Sequence, residues 1–146
     1  MSQTEGAEDA ESVGAADADL TAAARRAAGE GVVAEMLGKD FLAANMKAMQ
    51  AGEGAVAGMG RLALEHVFGD IWTRPGLTRR DRSLITLGVL MAQGHQTEIG
   101  NHVMAGRANG LSPEEIMEAV LHTVPYIGYP AAGQAMATAT RVLGAA

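Results

Sequence analysis

From Leu20 onward the apolar residues recur three and four positions apart, as in Val33, Met36 and Leu37, and β-branched alternation is nearly absent, which is the period of helices. A first helix is expected over about 21–37, stopped by Gly38, a second over about 40–50, and a third stretch, broken by several glycines, over about 53–68. Thr78, with Asp81 three residues later, caps the next helix, whose apolar face is Leu84, Ile85, Leu87, Leu90 and Met91 and whose stop is Gly94. A short helix over about 97–109 ends at Gly110. Ser112-Pro113-Glu114-Glu115 then joins three start signals: an N-cap serine, a proline at the first helical position and a glutamate at the third. The helix it opens turns Ile116, Val120 and Val124 inward and is interrupted near Pro125, and Tyr129-Pro130 begins a last, Ala-rich helix to about 143. These elements predict an all-α, single-domain bundle of about six helices over 21–146, with no internal repeat.

Residues 1–20 break the pattern. They are rich in Ala, Gly, Ser and acid and hold no aromatic side chain, so they bury too little surface to offset the entropy of ordering and are expected to form a disordered acidic tail. The tail also explains the charge of -6: six of the 17 acids lie in it, leaving 11 acids against 11 Lys and Arg in the body. A neutral body with 3% aromatic residues offers neither a basic stripe for phosphates nor a stacking platform for bases, which argues against a nucleic-acid partner. The start lacks the basic and apolar regions of a secretory signal, and no apolar run approaches the ~18 residues of a membrane helix, so a soluble, cytoplasmic protein is expected. The chain has no cysteine, which removes disulfides, iron-sulfur clusters, thiolate zinc sites and dithiol redox pairs.

Ordered motifs in the second half resemble the carboxymuconolactone decarboxylase family. They are Trp72, the turn Arg74-Pro75-Gly76-Leu77 and Arg82 before Ser83-Leu84; then Glu98 through His102; then Asn109-Gly110 running into Ser112-Pro113; and finally Leu121-His122 through Tyr126 to Pro130. The match spans about 68–135. It implies an alkylhydroperoxidase-like helical fold and a homo-oligomer built as a trimer of dimers. Two departures carry information. Where relatives often have an arginine four residues before Leu37 this chain has Val33, which implies a different substrate if that arginine grips a carboxylate. Where the related alkylhydroperoxidases carry Cys-x-x-Cys-x-x-x-His, this chain has His95, Glu98 and His102. Peroxide reduction needs one thiolate to attack and a second thiol to resolve, so that activity is excluded.

The chemistry implied by the resemblance is removal of CO2 from a γ-lactone whose carboxyl-bearing carbon is conjugated to the lactone carbonyl. Electrons from the breaking bond enter that carbonyl, so the substrate is its own electron sink and no cofactor is needed. The protein must anchor the carboxylate, stabilise the oxyanion and deliver a proton to carbon. Glu98 and His102, four apart on a helix, are expected within hydrogen-bond reach, with Glu98 orienting the imidazole, raising its pKa, and His102 donating the proton. Arg82 is the expected carboxylate or lactone anchor, because its planar fork grips carboxylate through two bonds. Trp72, His122 and Tyr126 are expected to wall the pocket or donate hydrogen bonds to a small lactone or carboxylic acid.

Other readings stay open. His95, Glu98, His102 and His122 could form a zinc or iron site, although their spacing matches no strong metal motif. A divergent enzyme of a biosynthetic pathway, or a non-catalytic auxiliary subunit, would keep the fold without this reaction. The helices over 84–91 and 131–143 are too apolar or Ala-rich all round for a monomer of 146 residues to cover, which by itself predicts self-association.

Overall fold

The computed structural model describes residues 21–52 and 54–145, so the expected acidic tail lies outside the described residues. Among the described residues seven α-helices follow one another: α1 (Ala22–Leu37), α2 (Lys39–Ala51), α3 (Ala55–Leu62), α4 (Arg79–Gln93), α5 (Gln96–Ala108), α6 (Pro113–Ile127) and α7 (Tyr129–Gly144). A π-helix, Ala63–Ile71, continues α3 without a break. No strand occurs among the described residues, and none of their helices is long and apolar enough to cross a membrane. The all-α expectation holds.

Local signals account for most boundaries. The Thr21 and Thr78 hydroxyls accept from the amides of Ala24 and Asp81, and Ser112 and Glu115 form a reciprocal capping box. Two expectations fail. The third helix runs on to Ile71 through its glycines, because Gly69 faces the neighbouring backbone instead of ending the helix. α6 passes through Pro125 and stops at Gly128, where φ is 84°. A proline in the last turn removes only one intrahelical bond, and the left-handed glycine is what ends the helix.

Two apolar clusters organise the molecule. The larger joins Leu87 and Met91 of α4, Ile99 and Val103 of α5, Ile116 and Val120 of α6, and Ala132, Ala135 and Ala139 of α7. The alanines let α7 approach closely. Ile85, expected on the buried face of α4, is instead 55% exposed. The smaller cluster joins Val32 and Met36 of α1 to Trp72 and to Ala105 of α5, with Leu37 and Phe68 packed beside it.

α1 meets the π-helix backbone to backbone. A β-carbon on Gly29 would collide with the Leu64 carbonyl oxygen, and one on Gly69 with that of Arg25. Ion pairs Arg25–Asp70 and Arg26–Glu65, both 2.9 Å, hold the same pair of elements. The wide turn ends with the Trp72 amide donating to the Val67 carbonyl (3.0 Å), five residues back, and so sets where the Trp72 ring enters the core.

Candidate active site

Trp72 is the centre of the arrangement. Its ring is buried, lies 6.2 Å from Phe68 and stacks on the His102 imidazole at 6.1 Å with 29° between planes. Trp72 also walls a cleft of about 260 Å³ with Ile71, Leu77, Arg82, Ile85 and Thr86. It thus connects Arg82 of α4 with His102 of α5. Both residues carry a buried nitrogen without a hydrogen-bond partner, Nε of Arg82 and Nδ1 of His102. Native proteins pair nearly all such atoms, so two orphans around one aromatic ring point to a site that a polar ligand completes.

The arginine run separates by role. Arg79 pairs with Glu35 and Arg80 with Glu115, both across helices, and these are structural. Arg82 gives one Nη2 bond to the Arg74 carbonyl (2.9 Å), which steadies the guanidinium while Nε stays unpaired.

The expected Glu98–His102 hydrogen bond does not form. Glu98 is exposed and accepts a long bond from the Asn101 amide (3.4 Å), while the imidazole turns inward onto Trp72. The expected rise in the histidine pKa is also overturned: burial lowers it below 6.5, and the nearby Glu98 charge opposes this only in part. Water screens the exposed Glu98 charge, so its pull on the imidazole is weaker than the effect of burial against the aromatic wall. The His–carboxylate bond at four-residue spacing forms instead at His66–Asp70 (3.0 Å), on the outer face of the π-helix.

His122 and Tyr126 do not join the Trp72 cleft within the chain. They lie exposed on α6 with ring centroids 5.5 Å apart, and His122 lines a separate groove of about 450 Å³ with Arg80, Leu84 and Glu118. His95 is exposed at the start of α5. Among the described residues no three His, Asp or Glu side chains gather closely enough to hold a metal ion, so the donor set His95, Glu98, His102 and His122 is not assembled. Phe68 was not anticipated. Its signal was present, an aromatic four residues before Trp72, but the helix was expected to end at that point.

The sequence profile of the carboxymuconolactone decarboxylase family matches residues 57–141, which contain Trp72, Arg82, Glu98 and His102. Two curated proteins are similar over 75 residues, 51% of this chain. A 4-carboxymuconolactone decarboxylase of Acinetobacter baylyi is 43% identical over 56% of its length, and a nitrosuccinic acid decarboxylase of Metarhizium robertsii is 44% identical over 52% of its length. The chain therefore spans about half the length of the curated relatives it matches. With the profile covering more than half of its residues and the all-α architecture to match, the chain belongs to the carboxymuconolactone decarboxylase family.

Proposed function

We propose that the chain is a cofactor-independent carboxy-lyase that acts on a carboxylated γ-lactone such as 4-carboxymuconolactone, giving 3-oxoadipate enol-lactone and CO2, or on a related acid. The observation that carries this reading is the pair of unpaired buried nitrogens on Arg82 and His102, joined through Trp72. Both named relatives are decarboxylases, and each name describes an acid able to lose CO2 into an electron-withdrawing group, an unsaturated lactone carbonyl or a nitro group.

In this reading the Arg82 fork grips the carboxylate against the apolar wall of Ile71, Leu77 and Trp72. Poor solvation there favours release of neutral CO2 over retention of the anion. The C–C bond breaks, its electron pair passes into the acceptor group, and His102 delivers a proton to the carbon next to that group, which in the lactone is the α-carbon of the carbonyl and leaves the double bond of the enol-lactone. Because burial keeps the ring neutral near pH 7, the donating imidazolium is a minor form that becomes more populated as the pH falls.

Purified chain, supplied with 4-carboxymuconolactone and no cofactor, is expected to release CO2; no release from this or from nitro-substituted acids would count against the reading. Arg82→Lys keeps the charge but loses the fork, so KM should rise more than kcat falls. An equal fall in kcat with KM constant would remove Arg82 from its anchoring role.

We further propose a homo-oligomer, a trimer of dimers. Support comes from large apolar side chains left in water: Ile71, Ile85 and Val89 near the cleft, and Leu121, Tyr126 and Tyr129 on α6 and α7, of which Tyr129 is 80% exposed. Sedimentation should give a mass several times 15.0 kDa at micromolar concentration; a monomer would overturn it.

A further inference from the structure

Between α1, α2, α3 and the π-helix lies another cavity, of about 120 Å³, which the chemistry above does not use. Its walls include Val33 and Leu37 from α1, Met46 and Met49 from α2, and Phe68 from the π-helix. The one polar side chain among the described lining residues is Asn45, whose amide already donates to the Phe41 carbonyl one turn back (2.9 Å). No charged side chain stands among them.

We propose that this cavity seats an uncharged apolar arm of the substrate, phenyl-sized or a branched alkyl of about four to six carbons. The substrate class is then an acid with one carboxylate for Arg82 and one apolar substituent, rather than a polycarboxylate. That the arm belongs to a substrate rests on the carboxy-lyase reading; the cavity itself does not.

Four observations converge on the occupant. Size comes first: a dry apolar cavity of about 150 Å³ takes benzene, so one slightly smaller takes a group of this scale. Charge comes second, since a carboxylate placed here would lose its water with no cation to meet it. Position is the third. Leu37 and Phe68 line the cavity and also pack against the Trp72 cluster, so the cavity, walled by Phe68, and the Arg82 cleft, walled by Trp72, adjoin neighbouring rings 6.2 Å apart. Fourth, the outer wall can adapt. α2 has no fully buried residue, its two methionines repack easily, and a β-carbon on Gly60 would stand 2.5 Å from Met49 Cγ, so glycine leaves that methionine its room. A void with no occupant would forfeit contacts that a larger side chain at Ala63 could recover.

The full chain labelled with ¹³C at its methionine methyls tests this without turnover. Toluene should shift the Met46 and Met49 resonances saturably and leave Met91, in the other cluster, nearly unmoved. Ala63→Leu, which fills the cavity, should weaken toluene binding at least about tenfold. Unmoved Met46 and Met49 signals in the unsubstituted chain, which needs no variant to fold, overturn the site, as does equal binding by a folded Ala63→Leu. The second probe is 4-phenylbutanoate, which should shift the same two signals and lose about tenfold or more in affinity in Arg82→Gln, where toluene binding stays unchanged. Affinity for 4-phenylbutanoate that ignores Arg82→Gln overturns the assignment to a substrate arm. A chain that binds both probes as stated yet decarboxylates nothing overturns the carboxy-lyase reading instead.

Discussion

His102→Gln is expected to lower kcat by about 10²–10⁴-fold while KM moves little, the loss typical of a removed general acid. The pH dependence identifies the group. Burial lowers the His102 pKa below 6.5, so turnover limited by its imidazolium falls as pH rises through that lowered value, and the variant loses this limb. Glu98 acts on the ring by charge and not by a bond, so Glu98→Gln should move the limb to still lower pH. In the His102→Gln background Glu98→Gln should do nothing further. Stability supplies a readout independent of substrate. Near and just below pH 6.5 the unfolded chain binds more protons at this position than the folded chain, so stability falls as pH drops through that window, and His102→Gln should remove that part of the acid loss. Full kcat in His102→Gln on any accepted substrate would leave His102 as a packing residue.

Gly29→Ala and Gly69→Ala should each destabilise the fold by about 3 kcal/mol, the upper range for overpacking. In a chain of this length that is a fall in Tm of roughly 6–12 °C. In both cases the added methyl meets a carbonyl oxygen, which cannot rotate aside as a side chain can, so α1 and the π-helix must separate. Separation also loosens Arg25–Asp70 and Arg26–Glu65 and shifts Trp72 away from His102. Activity should therefore fall below the transition temperature as well. Gly31, where a β-carbon meets nothing within 4 Å, is the control: Gly31→Ala should leave Tm unchanged or raise it slightly. Tolerance of alanine at 29 and 69 would disprove the backbone contact as the element that sets Trp72.

The candidate site was legible in part. The resemblance singled out Trp72 and Arg82, and the four-residue spacing added the pair Glu98 and His102; all four fall within the family match. Spacing alone misled about Glu98, because a four-residue separation brings two side chains within reach but leaves each free to choose its rotamer. Glu98 turns to the exposed surface and Asn101; His102 takes the aromatic wall. His122 and Tyr126 share the family stretch with the others, yet they emerge on an exposed face of α6 away from the Trp72 cleft, where no local pattern signals which neighbour lies opposite.

Local chemistry written in the sequence determined the helical class, the caps at Thr21, Thr78 and Ser112, and the stops at Gly38 and Gly94, since each depends on contacts within a turn of chain. Tertiary structure alone decided the rest. The π-helical turn exists where Gly29 and Gly69 let two backbones touch across some forty residues of sequence. The lowered pKa of His102 depends on burial of its ring against Trp72, which arrives from a different part of the chain. The cleft beside Trp72 and the apolar cavity beside Phe68 are gaps between packed helices, and a gap is a property of how surfaces meet, which no single helix carries.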